Sequence, residues 1–295
     1  MNIIGYGKEY AVGGIASATA GFFTNPLDVV KTRFQLQGEL LNRGAYEVKY
    51  KNVFDAFLKI CQHEGAKGLQ KGLTSQLAYQ CVMNSTRLGT YQTILNSGLP
   101  SDENGKPVFW KLGLAGAFAG SCGALVGSPF YLVKVQMQAA AAPSIAVGYQ
   151  HKHTGLWQGL KIAYSSPGGL FQGVTSALWR VSAGSATQLA TFTRIKHYIT
   201  GTGVLQSDFA VVAASSLISS FAVTCTMTPF DVVATRLYNQ KHGLYYSGWL
   251  DCIGKIYKHE GMFGFYKGTV AHYFRIGPHT ILTLMIWDRY RKWLL

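Results

Sequence analysis

An all-α membrane protein, with six transmembrane helices made from three repeats of about 100 residues, is the fold class this sequence predicts. Three observations carry it. Charged residues are only 14% of 295, where soluble chains average about 25%, so there is too little charge to coat a water-facing surface. Long runs without Asp, Glu, Lys or Arg recur, and a helix needs about 20 such residues to cross a hydrocarbon core about 30 Å thick. The block NPLDVVKTRFQ returns as SPFYLVKVQMQ and TPFDVVATRLY, with Pro26, Pro129 and Pro229 spaced 103 and 100 residues apart.

In chain order, the clearest spans are Tyr10 to Leu27, Leu112 to Val133 and Phe209 to Phe230, all uncharged. Weaker spans, each interrupted by arginine, run from about Leu73 to Ser97, Val174 to Ile199 and Thr269 to Trp293. Long polar connections at 38–72, 139–173 and 240–268 alternate with short ones at 98–108 and 200–206, which puts the long loops on one side and both termini on the other. Each long loop carries net +2: six basic against four acidic residues, two against none, and four against two. The 98–108 loop is at −1, so the long loops mark the side expected to face the interior. Upstream of the prolines, Gly13, Gly116 and Ser216, then Ser17, Gly120 and Ser220, then Gly21, Ala124 and Thr224 follow at steps of four. That spacing forms one small-residue face on which neighbouring backbones approach closely. EGAKGLQKG from Glu64, GGLFQG from Gly168 and EGMFGFYKG from Glu260 close the long loops.

Several function classes drop out on composition. The balance of 27 Lys+Arg against 13 Asp+Glu gives +14, but the basic residues form no stripe of the kind nucleic-acid binders use, so no nucleic acid is expected. Cys61, Cys81, Cys122, Cys225 and Cys252 form no C-x-x-C pair and stand beside no histidine, so they read as small apolar residues rather than disulfides or metal ligands. No cleaved leader is expected from the first nine residues, which lack Arg and an A-x-A site. No phosphate loop, H-E-x-x-H or G-x-S-x-G is present, which argues against an enzyme.

The triplicated P-x-[DE]-x-x-[KR] block, followed by [DE]-G-x-x-x-x-[YWF]-[KR]-G, resembles the mitochondrial carrier family, solute carrier family 25, over essentially the whole chain. The blocks NPLDVVKTRFQLQGEL, TRLGTY, TRLYNQ and FRIGPHTIL are most similar to its oxaloacetate and sulfate subgroup and animal relatives. The resemblance implies a three-fold pseudosymmetric bundle of six tilted helices kinked at Pro26, Pro129 and Pro229, with short matrix helices and repeats at 1–100, 101–203 and 204–295. It implies a monomeric exchanger of the mitochondrial inner membrane, both termini toward the intermembrane space and cardiolipin at the matrix helix ends. No cofactor or metal is called for.

Asp28 and Lys31, three residues apart, share a helical face, which allows a local pair within the helix. Family analogy instead pairs the acid of one repeat with the base of the next, joining Asp28 to Lys134 and Asp231 to Lys31. Gln35 and Gln138 would brace the pairs, with Tyr238 at the third brace position. The third pair would join Tyr131 and Ala234, so both partners are missing together; a lone buried survivor would cost about 3–5 kcal/mol. The expected matrix gate therefore has two ion pairs. At the opposite end the family pattern fits poorly: Lys196 with Asp288 offers an ion pair and Arg291 the remaining base, or these charges snorkel at helix ends.

Arg87, Arg180 and Arg275 stand inside the weaker spans, apart from the charges gathered at the far ends of the second and third, where a lipid-facing arginine costs at least about 2.5–3.5 kcal/mol, so they are expected to face the interior. With no acid in mid-span to neutralise them, they invite an anionic substrate held by planar guanidinium forks, or else bond carbonyls and hydroxyls as helix glue. The family's contact positions fall on Tyr79, on Arg180 with Val181, and on Arg275. One turn on come Met83, Gly184 and His279; two turns on come Arg87, Gln188 and Thr283. His279 reads as a hydrogen-bonding residue or as a proton carrier. The expected activity is exchange or import of a small anion such as oxaloacetate, sulfate, malonate or a related dicarboxylate by alternating access. A proton-leak carrier and a non-transporting scaffold are the rivals.

Overall fold

The computed structural model describes residues 3–42, 45–100, 108–203, 207–241 and 243–294; side chains are described for all of these except 3–13, 109, 189, 209, 284, 287, 288 and 291–294. Among the described residues the chain is helical without strands. Each repeat holds a leading helix, a short surface helix and a returning helix. These are α1 (Ile3–Leu36), α2 (Val53–Leu69) and α3 (Leu73–Asn96); α4 (Phe109–Ala139), α5 (Leu156–Ser165) and α6 (Val174–Thr202); α7 (Asp208–Asn239), α8 (Trp249–Glu260) and α9 (Thr269–Leu294).

The leading helices outrun the spans expected from uncharged sequence. Expectation stopped them near Leu27, Val133 and Phe230, but they continue to Leu36, Ala139 and Asn239. The charged block after each proline stays helical because its charges find partners inside the protein, so no lipid or loop is needed to accommodate them. Pro26, Pro129 and Pro229 all lie within their helices. Proline supplies no N–H to the carbonyl four residues back; at Pro26 that carbonyl, Phe22 O, takes a hydrogen bond from Gln70 Nε2 at 3.4 Å.

The six long helices close into a ring, α1 to α3, α4, α6, α7, α9 and back to α1. The leading helices also touch one another, and the side chains that join them belong to the segments after the prolines. The bundle is thus drawn together at the long-loop end. Part of the small-residue face seats α4 and α1 on their returning partners: a Cβ on Gly120 would stand 3.0 Å from Val181 of α6, and one on Gly21 would be 4.0 Å from Gln76 and Leu77 of α3. Large apolar side chains point outward, including Phe22, Phe118, Leu125 and Phe221, while Asp28, Lys31, Gln35 and Asp231 are buried within. That is the reverse of a water-soluble protein. Trp110–Ala139 and Ala210–Asn239, with mean hydropathy 1.3 and 1.7, are long and apolar enough to cross a bilayer on composition alone.

A cyclic latch binds the loops below the ring. Arg33 and Arg236 are fully buried and make bidentate pairs with Glu64 and Glu260. Arg33 also donates to Gln138 O and Ala140 O of the second repeat, and Arg236 to Gln35 O of the first. Lys71 then caps Ala140 O, and Lys267 caps Gln37 O and Gly38 O. In the second repeat the corresponding donors are neutral: Gln136 bonds Tyr238 O, and Gln172 bonds Leu237 O and Gln240 O. Burial by itself would raise the Glu64 carboxyl, but hydrogen bonds from Arg33 and Lys71 hold it down at about 2.

Candidate functional site

The residues expected to form the matrix gate meet where the leading helices converge. Lys31 Nζ lies 2.5 Å from Asp231 Oδ2, and Lys134 Nζ lies 3.5 Å from Asp28 Oδ1. Gln35 Nε2 donates to Asp231 Oδ2 at 2.6 Å and its Oε1 accepts from Thr235. Gln138 departs from the expected brace: it bonds Asn25 and Thr32 instead. The amide on Asp28 comes from the returning helix, where Gln76 Nε2 reaches Oδ2 at 3.1 Å. At the third position, Tyr131 is buried between Tyr79 and Tyr238, with ring centroids 5.0 and 5.1 Å apart, and Tyr238 shares a hydrogen bond with Ser128. Arg180 and Lys134 lie over the Tyr131 ring, 5.0 and 5.2 Å from its centroid. A cluster of tilted and edge-on rings thus fills the place where sequence lacks an ion pair.

One expectation needs correction. Arg180 and Arg275 face the interior, but they are not without carboxylates. Arg275 Nε is 3.0 Å from Asp28 Oδ1, and Arg180 Nε is 3.8 Å from Asp231 Oδ1. The returning helices start at the long-loop end and helical side chains lean toward the N-terminus, so both guanidinium groups reach down to the gate acids. Four cations, Lys31, Lys134, Arg180 and Arg275, then share two carboxylates, which leaves an excess of two positive charges in this cluster. Arg180 also donates to Tyr79 OH at 3.4 Å, while its Nε and Asp231 Oδ1 are buried without hydrogen-bond partners among the described residues.

The remaining candidate contact residues do not join this cluster as one group. His279 Nδ1 is hydrogen-bonded with Thr24 Oγ1 at 3.1 Å. Val181 departs from its expected contact role, being buried against Gly120 at the α4–α6 seam. Met83 lies against Gly123 and Gly127 of α4 rather than standing clear of the wall. Arg87 and Gln188 are exposed on the described surface. At the far end Lys196 is exposed; Asp288 and Arg291, its expected gate companions, lie outside the described side chains. The five cysteines are free, and no metal-ligand cluster occurs among the described residues.

Residue-by-residue reading missed Gln76 and His272, a few residues into their returning helices, and the latch pairs Arg33–Glu64 and Arg236–Glu260. The signal was in the repeat register: Arg33 and Arg236 each stand seven residues after their proline, and Gln76 and His272 each stand three before Tyr79 and Arg275.

Comparison with known proteins identifies relatives along nearly the whole chain. Residues 4–98, 105–203 and 206–295 each match the mitochondrial carrier protein family. The chain is 45% identical to solute carrier family 25 member 35 of Mus musculus over 292 residues, covering 96% of this chain and 97% of that one. It is 40% identical to the mitochondrial oxaloacetate transport protein of Schizosaccharomyces pombe over 285 residues, 95% and 88% of the two chains. It is also 38% identical to the mitochondrial citrate transporter E of Aspergillus niger over 288 residues, 96% and 92% of the two. The chain belongs to the mitochondrial carrier family, whose members are multi-pass transporters of the mitochondrial inner membrane rather than enzymes.

Proposed function

We propose that this carrier moves a small dianion, oxaloacetate, malonate, sulfate or a related dicarboxylate, through a midplane site floored by Tyr79, Arg180 and Arg275. The observation that carries the reading is that site and gate share carboxylates: Asp28 holds both Arg275 and Lys134, and Asp231 both Arg180 and Lys31. An anion that takes the two arginines matches the excess charge and leaves each gate acid with one cation instead of two. Its binding free energy then offsets opening of the gate. The oxaloacetate and citrate named for relatives support the substrate class.

The repeats at 1–100, 101–203 and 204–295 move as units about their prolines, in a monomer with its long loops toward the matrix, its termini toward the intermembrane space and cardiolipin at the matrix helix ends. Purified protein in malonate-loaded proteoliposomes should exchange labelled malonate, oxaloacetate or sulfate. Arg275→Ala should cut the rate at least tenfold while the protein stays folded; undiminished uptake would reject the site. Fatty-acid-stimulated proton conductance without anion exchange would replace the carrier with a proton leak.

A further inference from the structure

Each returning helix carries, three residues before its cavity position, a residue set against its own leading helix near the gate. Gln76 precedes Tyr79, Ala177 precedes Arg180 and His272 precedes Arg275, each four residues after the glycine that starts the helix. Residues three apart share a helical face, so cavity and gate positions sit on one rigid turn.

Gln76 is fully buried, and its Nε2 takes the Asp28 oxygen that Arg275 and Lys134 leave free. Its Oε1 is buried without a partner among the described residues, so the bond to the gate acid is what holds this amide. His272 is buried too, with Nδ1 hydrogen-bonded to Thr228 Oγ1 at 3.1 Å, and Thr228 stands three residues before Asp231 on α7. Ala177 belongs to the buried cluster that contains Tyr131.

The chemistry of these positions follows that of the gate within this one chain. An amide and an imidazole occur where the leading helix carries Asp28 and Asp231. A methyl group occurs where it carries Tyr131. A polar side chain at 177 would have no carboxylate to meet, and a buried polar group left unpaired costs about 1–3 kcal/mol.

We propose that Gln76 and His272 are positioning residues that tie the gate acids to the anion site, so that a shift of Tyr79 or Arg275 toward bound anion moves the same helical turn against Asp28 or Asp231. The inference rests on the carrier reading of the cavity. It predicts that loss of either side chain slows turnover and spares anion binding.

The test combines malonate exchange in proteoliposomes with thermal unfolding of the purified carrier across malonate concentrations. Gln76→Leu and His272→Leu should each lower the maximal exchange rate at least fivefold. KM and the malonate concentration for half-maximal thermal stabilisation should stay within twofold of the parent. The in-register swaps Gln76→His and His272→Gln should recover at least half of the rate lost in the leucine variants. Loss of malonate stabilisation together with rate would make these residues direct ligands and overturn the proposal, as would swaps that fold but recover no rate. If the leucine variants fail to fold, the swaps decide: more than a third of the parent rate supports the proposal and less overturns it. A parent protein neither stabilised nor active with malonate, oxaloacetate or sulfate rejects the carrier reading itself, and the proposal with it.

Discussion

Two residues before the cap of each surface helix stands one ring: Tyr50 before Asn52, His153 before Gly155 and Tyr246 before Gly248. Tyr50 OH donates to Ile145 O at 2.7 Å and Tyr246 OH to Glu39 Oε1 at 3.0 Å, each reaching the loop of the next repeat. His153 is buried and its Nε2 has no partner among the described residues. Burial, with nearby His151 adding to it, lowers its pKa from 6.5 to about 4. The unfolded chain therefore binds this proton below about pH 6.5, and the folded one only near pH 4. Stability is fully present above 6.5 and falls as pH drops toward 4. His153→Tyr, which copies the other repeats, should remove about 1–2 kcal/mol of that loss at pH 5, read as a smaller drop in melting temperature between pH 7 and 5. An equal drop in parent and variant would discard the assignment. At this scale sequence picked out Asp28, Lys134, Lys31 and Asp231 by charge and spacing, but not that Gln76 rather than Gln138 would hold Asp28. Both amides are buried, and only the fold shows that Gln76 reaches the carboxylate while Gln138 meets Asn25.

The returning helices each begin at a glycine with positive φ: +74° at Gly72, +80° at Gly173 and +77° at Gly268. A Cβ on Gly72 would also lie 3.2 Å from Lys134 O, so the residue is constrained twice, by its dihedral and by the closeness of α4. Gly72→Ala should cost about 1–2 kcal/mol from the left-handed backbone alone, measured as a lower melting temperature of the detergent-solubilised protein; a variant as stable as the parent would show that this turn can relax. The glycines were visible in the sequence as the ends of the loop motifs. Their dihedrals follow from the reversal between a surface helix and a returning one. Helix direction also explains why Arg180 and Arg275, read as free of acids, end beside Asp231 and Asp28. Sequence distance conceals the approach, and the N-terminal lean of helical side chains produces it.

Over the whole molecule the three-fold ring is unequal. The α1–α4 contact has the Asp28–Lys134 pair and the Arg33 and Lys71 latch, and α7–α1 has Lys31–Asp231 with the Arg236 and Lys267 latch. The α4–α7 contact relies on the edge-on rings of Tyr131 and Tyr238 and neutral bonds from Gln136 and Gln172, with no ion pair between those two helices among the described residues. Gate layer and loop layer are thus both weakest at one seam, where the bundle should part first. Tyr131→Asp combined with Ala234→Lys installs the missing pair; it should raise the melting temperature of the anion-free carrier by several degrees and lower maximal exchange about fivefold. Unchanged rates would place the opening elsewhere. The sequence by itself determined the membrane class and the triplicate plan, because hydropathy and repeat register are local properties read along one chain, while the bundle and the pairing of Asp28 with Lys134 and Asp231 with Lys31 were implied by family resemblance. Only the tertiary structure decided that Arg180 and Arg275 share two carboxylates with Lys31 and Lys134, and that no ion pair joins α4 to α7 among the described residues. Those facts depend on how far side chains reach between helices that are distant in sequence.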